Sequence, residues 1–593
     1  MKKILVPILC SAAVLFASCN QDLLEIPQKG VVTTDTFYKS DADAEAAMVA
    51  AYQGFIWNVC SQEGGSTYSP YRQAFNQCGD DLLGAGEFWG DNDHIFCMNE
   101  FRHDAACNPS GLTYKNIYYA MYYSNLVIDK FKDGLPGGEK TATTKRVVAE
   151  ARVLRAWMHM TLALGWGCPP LVDHLLGAAE LPTNCDLAEK PMTHEELLKW
   201  CANECKEAYD DLDERKSPTD KDGAVKVTKG FAKAVEGKCL VFAGDFAGAK
   251  SALKTVIDSK KYALVPGNRY KENFHIEGDA NEEKVFEANV EDTNPPMAGM
   301  PWEGNPSIMN RTTWMESNLW NWRSDHFVAN PSTAYSSIDG WGGLGVPESF
   351  AAEFIANDGL DSYRLQASIV SIEDIIYKYS YPGLKDESGK LVDDMTPEER
   401  KTCKKVGIGE KGLYGQCAYL PLKPITTVAD LKNPGNNLRM NNYTIMRYAE
   451  VLLLYAEACL QTNDATGAKD AINKISERAC GKTYASVTMD DLKREKKLEL
   501  WLEGCRWPDM VRWQDFGGLA HAGENIPSLW DAMFVGEKDV KATESAHRFY
   551  ITHSNPSKDA KKPYGFDVNK HTLFPYPEDV VAINPNLKQN PGW

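Results

Sequence analysis

The sequence predicts a mainly α-helical protein: an α-solenoid-like scaffold of helix pairs that carries a large loop-rich region. Three observations predict it. Long segments repeat apolar residues at helical spacing behind an N-capping residue. Two of those segments share a stretch in step, GAKSALKTVI at 248–257 and GAKDAINKIS at 467–476. Between them, residues 265–345 lose any sustained period and fill with Asn, Pro, Gly, Ser and Trp. At 593 residues, 43% hydrophobic and 25% charged, the chain has an ordinary globular balance and length enough for a large core or several domains.

Taken in order, the chain opens with Met1-Lys2-Lys3 and an apolar run, Ile4 to Ala17, broken only by Pro7 and Ser11. The run is shorter than the roughly 20 residues a membrane-spanning helix needs. A positive start, a short apolar stretch and a small-residue exit at Ala17-Ser18 read as a secretory signal over residues 1–18. Cys19 follows at the cleavage boundary, where a cysteine has no packing role. The segment resembles the lipobox of bacterial lipoproteins, with Phe16 where Leu is usual. That resemblance implies cleavage before Cys19 and acylation of its thiol, and several acyl chains anchor more firmly than one. Residues 19–40 are then the lipidated cysteine and its tether, and lipid holds the body to a membrane surface.

Helical patterns follow at 41–57, 113–131, 143–165 and 193–212, each opening with Asp or Thr where an N-cap belongs. In 229–264 two helices meet at Gly244-Asp245, and the later segment 448–475 is related to it. Small residues at a helix crossing let two backbones approach closely, as tetratricopeptide-like pairs do, and such units bury their faces only against neighbours. The expected division is a helical region over 41–264, a loop-rich ligand-binding region over 265–440, a second helical core over 441–520 and a C-terminal loop region over 521–593. Loops this long in a compact protein are usually functional.

Charge narrows the partners. The formal charge is −18, and it becomes −20 once Lys2 and Lys3 leave with the signal. This argues against nucleic acid and against adsorption to anionic headgroups. Of 16 cysteines, Cys10 leaves with the signal and Cys19 takes lipid. Export permits disulfides. Yet Cys239, Cys459 and Cys505 fall in helical patterns, where Cys acts as a small hydrophobe. No CxxC pair occurs, so most remaining thiols are expected reduced and buried, with no zinc site. Asp91-x-Asp93 suggests calcium, but a loop of that kind needs Gly at its sixth place and Glu at its twelfth, where Phe96 and Arg102 stand. No metal and no cofactor is expected.

Several segments then read together: FYKSDADAEAAMVAAYQGF after the tether, EARVLRAWMHMTLALGWGCPPLV at 150–172, RYAEVLLLYAEA at 447–458, INKISERA at 472–479, REKKLELWLEGCRWPDMVRW at 494–513 and the closing INPNLKQNPGW. In this order they resemble the SusD/RagB family of outer-membrane nutrient-binding lipoproteins. The resemblance runs from Cys19 to Trp593. It implies a helical protein with tetratricopeptide-like pairs at the cell surface, capping a TonB-dependent, SusC-like β-barrel transporter. Such a protein captures glycans, or in some branches peptides, for import, and it is not an enzyme. The charged motifs themselves read as structural. Arg447 and Glu450, and Arg506 and Asp509 across Pro508, are expected in Arg–carboxylate pairs that lock the core and turns, with Gly504 as a left-handed cap. The Asn- and Pro-rich end reads as a clamped turn.

Sugars offer hydroxyls and weakly apolar C–H faces, so their sites need flat aromatic platforms beside planar polar groups. Five of the 15 tryptophans fall within 302–341: Trp302, Trp314, Trp320, Trp322 and Trp341, with Arg323 and Tyr335 among them. A second candidate is 79–96, whose GDD resembles a family segment and which offers Trp89, Asp91 and Asn92. The competing reading is that individual rings fill small cores under long loops. Two other functions stay open. A glycoside hydrolase would need two carboxylates across a cleft, and a peptide-binding helical scaffold would use its repeat surface. HExxH, GxSxG and GxxxxGK[ST] are all absent, and His194-Glu195 lacks the second His. No catalytic residue is assigned.

Overall fold

The computed structural model describes residues 37–60, 71–86, 97–289, 319–330, 339–409, 419–431, 439–519 and 565–593. The signal, Cys19 and most of the tether lie outside them. The protein is mainly helical, and none of the described helices is long and apolar enough to cross a membrane.

The first half is a serial array. Helix α1 (Asp41–Phe55) is followed by the short α2 (Tyr71–Gln77) and the long α3 (Asn108–Phe131) and α4 (Ala142–Trp166). Then come α5 (His194–Ala208), α6 (Lys229–Phe242) and α7 (Phe246–Ser259). From α3 onward each packs on the next, and α1 packs on both α3 and α4. Polar caps set the starts. Ser40, Thr141, Thr193 and Thr228 each accept a backbone N–H three residues on. At Ser40 and Thr193 the third residue, Asp43 or Glu196, reaches back to complete a capping box.

The array resumes after a long insertion, with α8 (Glu348–Asp358), α9 (Tyr363–Ser368), α10 (Ile372–Tyr377) and α11 (Pro397–Arg400) inside the insertion. Helices α12 (Tyr448–Gln461), α13 (Ala465–Cys480), α14 (Met489–Glu499) and α15 (Arg506–Trp513) follow. Helix α12 packs on α7, so the array continues across the break. The two related sequences form the same turn. Gly244 (φ 73°) and Asn463 (φ 58°) take left-handed conformations, and Asp245 and Asp464 each accept from the N–H three residues on, both at 2.9 Å. The expected close approach is also present: a side chain on Gly237 of α6 would run into Leu253 of α7.

Among the described residues, three two-stranded antiparallel pairs manage the insertion. Strand β1 (Leu83–Gly84) pairs with β3 (Leu344–Gly345), and β4 (Ile369–Ser371) with β5 (Tyr419–Pro421). Strand β2 (Lys284–Ala288) leads into the insertion and pairs with β6 (Tyr443–Arg447), which leads out of it straight into α12. The region expected to be loop-rich therefore contains short helices and its own small cores. Ile372, Ile375, Ile376, Val392 and Ile408 form one, and Phe350, Phe354 and Trp501 anchor another.

Buried ion pairs join insertion to array. Arg447 donates to Glu503 at 2.8 Å, to Glu499 at 3.1 Å and to Glu283. Arg478 holds Glu283 and Glu499 at 2.9 and 2.6 Å. From the insertion, Arg364 reaches Asp358, Glu495 and Glu499, and Lys423 reaches Glu503 at 2.7 Å. The expected Arg–carboxylate locks are thus real, with other partners than the spacing suggests. Glu450 binds Lys238 at 2.7 Å, Arg506 binds Asp80, and Asp509 binds Lys496 and Arg512. Gly504 is left-handed (φ 76°), but α14 has already ended five residues earlier, and its N–H donates to Asn76. The chain end is a clamp. Asn590 donates to the Phe574 and Trp166 carbonyls, Trp166 to the Pro575 carbonyl, and Trp593 to the Leu573 carbonyl. The thirteen described cysteines are all thiols, most of them buried.

Candidate functional site

The two candidate segments of the sequence meet in space. The β1–β3 ladder joins residues 83–84 to 344–345, and Ala85 N–H donates to the Gly343 carbonyl at 3.2 Å. Residues 319–322 lie along the other side of 340–343. Gly343, Gly342 and Gly340 N–H groups donate to the carbonyls of Leu319, Asn321 and Trp322 at 2.7, 2.7 and 2.9 Å. Gly342 is left-handed (φ 64°), which a side chain resists there. Asn321, fully buried, clamps this strip to Thr426: its Nδ2 donates to the Thr426 carbonyl and its Oδ1 accepts the Thr426 N–H, both at 2.9 Å. Both polar ends of a buried amide are thereby satisfied.

The candidates divide by burial. Trp322 is 2% exposed and packs with Leu83, Phe327 and Ile376; Trp320 is 8% exposed and packs with Leu82, Leu319 and Leu344. These two rings fill cores, as the competing reading of the cluster holds. Trp341 is half-buried, lying against the second of those cores. Arg323 makes a two-point pair with Asp325 at 2.9 and 2.7 Å, with Asp325 40% exposed. The neighbouring Ser324 donates through N–H and Oγ to Asp339, both at 2.6 Å. The same strip therefore carries a half-buried indole, Trp341, and a planar guanidinium–carboxylate pair, Arg323 with Asp325. Trp89, Asp91, Asn92, Trp302, Trp314 and Tyr335 lie outside the described residues. Asp339 and Asn321 were not singled out by the sequence; an Asn between two Trp was the one available signal.

Beneath the strip sits the GDD segment, and its carboxylates are structural. Arg506 grips Asp80 through Nε and Nη2 at 2.7 and 2.8 Å, and Lys497 stands at 3.4 Å. Burial pushes Asp80 up, but Arg506 and then Lys497 outweigh it and hold the carboxyl at about 2. Asp81 is 2% exposed; burial, then its neighbour Asp80, push its carboxyl up to about 7. Its carbonyl accepts from Trp501 at 2.8 Å. Such a split pair resembles an acid–base couple, yet both groups are buried and Asp80 is held by Arg506. Among the described residues no group of three or more His, Cys, Asp or Glu is arranged to hold a metal.

The fold has known counterparts. A SusD-like protein of Bacteroides ovatus is 23% identical over 614 aligned positions, covering 98% of this chain and 97% of that one. Among solved structures, surface glycan-binding protein A of Bacteroides thetaiotaomicron, in complex with laminarihexaose, superposes with a TM-score of 0.65 at 19% identity over 93% of this chain and 99% of that chain. A laminarin-binding SusD-like protein superposes with a TM-score of 0.67 at 20% identity over 94% and 100%. Residues 315–593 match the profile of the SusD family. That match covers most of the insertion, α12–α15 and the terminal clamp, so this part of the chain carries the SusD family profile, and the chain as a whole is similar from end to end to a SusD-like protein.

Proposed function

We propose that this chain is a cell-surface lipoprotein of the outer membrane, anchored through Cys19, that binds glycans and delivers them to a TonB-dependent SusC-like transporter without catalysis. The observation that carries the glycan reading is the convergence of residues 83–85, 319–323 and 340–345, which gathers Trp341 and the Arg323–Asp325 pair onto one strip. The ligands named for two similar folds, laminarihexaose and laminarin, support a neutral β-glucan as the first class to try. On this reading Trp341 and Arg323 touch sugar, Trp320 and Trp322 hold the strip from below, and Trp89, Asp91, Asn92, Trp302, Trp314 and Tyr335 complete the ligand face.

The test is isothermal titration of the lipid-free protein, beginning at residue 20, against laminarin, other neutral plant, fungal and host polysaccharides, and a peptide pool. Binding to one polysaccharide that is lost in Trp341→Ala and Arg323→Ala, with the melting temperature kept, supports the reading. Heat from peptides alone moves the chain to a peptide-binding role, and release of shorter sugars during incubation refutes the non-catalytic role.

A further inference from the structure

Helix α3 begins oddly. Its N-cap is Cys107, which makes no side-chain capping bond, whereas Ser40, Thr141, Thr193 and Thr228 all cap the helices around it. Cysteine is a poor choice where Ser, Thr, Asp or Asn satisfies an orphan N–H. The Cys107 sulfur instead lies 3.9 Å from that of Cys97. The turn between them is held from several sides. Arg102 N–H donates to the Cys97 carbonyl at 2.8 Å, and Asn99 Nδ2 donates to the carbonyls of Gln77 and Leu82. Asn99 Oδ1 accepts the Gly84 N–H of β1 at 3.0 Å. Cys107 N–H donates to the Asp104 carbonyl at 3.0 Å. The two sulfurs are thus presented to each other by a fixed backbone, and Cys97 is only half-buried, which gives an oxidant a way in.

We propose that Cys97 and Cys107 are an oxidisable dithiol that closes into an intrachain disulfide, clasping the start of α3 to the turn beside β1. Forming the bond requires the sulfurs to approach to about 2.0 Å, a movement within reach of side-chain rotation on a fixed loop. The oxidant is a disulfide, RSSR, such as oxidised glutathione or an oxidised dithiol partner. One cysteine thiolate attacks RSSR, forms a mixed disulfide and expels RS⁻; the second thiolate attacks that mixed disulfide, joins the two cysteines and expels the second RS⁻. The two cysteine protons end on the two released thiols, and the protein loses two electrons and two protons. Contact with Cys97, outweighing burial, holds the Cys107 thiol below its ordinary value and so favours the thiolate. The contrast is Cys201 and Cys239, which touch across α5 and α6 but are wholly buried, so a dissolved oxidant has no route to them.

The experiment treats the reduced, folded chain with oxidised glutathione, traps remaining thiols with iodoacetamide and maps peptides by mass. The expected result is a Cys97–Cys107 cross-link, a higher melting temperature, and Cys201 and Cys239 alkylated only after unfolding. In Cys107→Ser, Cys97 should stop as a glutathione adduct with no ring closure, and in Cys97→Ser the buried Cys107 should stay a thiol. Full alkylation of Cys97 and Cys107 after oxidation overturns the proposal, as do adducts on both without closure or a cross-link from either to another cysteine. The wild-type map decides the matter even where a variant folds poorly.

Discussion

Arg447 is the residue whose loss tests the ion-pair network most sharply. It is buried, and its guanidinium faces Glu283, Glu499 and Glu503 while also donating to the Glu499 carbonyl at 3.1 Å. At about 3 Å and an effective dielectric near 20, each carboxylate attracts it by roughly 5 kcal/mol. Most of that gross attraction is offset, because Arg447→Met also removes a costly buried cation and leaves Arg478, Arg364 and Lys423 beside the same carboxylates. Breaking one side of a buried pair leaves a net loss of about 3–5 kcal/mol. For a chain of 593 residues, unfolding entropy of roughly 1.2 kcal/mol/K converts 4 kcal/mol into a drop of about 3 °C in melting temperature. Calorimetry at pH 7 and pH 3 reads it. Against the opposing push of burial, Arg478, Arg447 and Arg364 hold Glu499 at about 2, so its stabilisation is full above the unfolded value of 4.5 and is lost as pH falls from there through about 2. In the variant Glu499 loses a cation and takes up its proton sooner, so the gap between the two proteins should narrow at pH 3. A variant melting within about 1 °C of wild type at pH 7, or a gap that does not change with pH, would refute the reasoning.

Three further outcomes are expected. Trp322→Ala should cost about 3–5 kcal/mol in denaturant unfolding because it empties a core, whereas Trp341→Ala should leave stability within about 1 kcal/mol and act on ligand affinity; the reverse order would move the site elsewhere. Asp245→Ala and Asp464→Ala should each cost about 1 kcal/mol and speed hydrogen exchange at the Gly248 and Gly467 amides about fivefold, alike because the two turns share one geometry. Burial, then Lys570, pushes the His571 imidazole down to about 4, so its contribution is intact above about 6.5 and is lost as pH falls toward 4. His571→Gln should remove up to about 3 kcal/mol of that acid sensitivity, and an unchanged pH profile of melting temperature would contradict the assignment.

The array was readable because its signals are local. Period, cap and turn coincide within a few residues at Thr193 with Glu196, and at Asp245 and Asp464. The cores of the insertion were not. Helices α9 and α10 have six residues each, too short to show a period, and their apolar partners come from distant places, as when Leu83 packs with Trp322 and Ile376. Helix α11 did carry a signal, a Thr396–Glu399 capping box around Pro397, inside a stretch otherwise read as irregular. Ion-pair partners were hidden for the same reason: Arg506 finds Asp80 across 426 residues, while the nearby Asp509 belongs to Lys496. For the candidate site, composition located the tryptophans but not their burial. Which ring faces solvent depends on the two-residue strand β1 and the Asn321–Thr426 clamp, and neither leaves a periodic trace.

The β2–β6 pairing carries a consequence for how such a chain can diversify. Everything between residues 289 and 442 departs and returns through one antiparallel pair, so its ends are held side by side whatever lies between. Lengthening a segment closed in this way costs little, about 0.6 kcal/mol for each doubling. The segment is therefore a cassette: its content can be rewritten for a new ligand while the helices on either side keep their register. The rewriting has one fixed clause. Arg364 and Lys423 belong to the cassette, yet they balance Glu495, Glu499 and Glu503 of the scaffold. A graft that brings a new binding surface without those charges would strand the scaffold's acids in its interior, and it should fail to fold before its specificity could be measured.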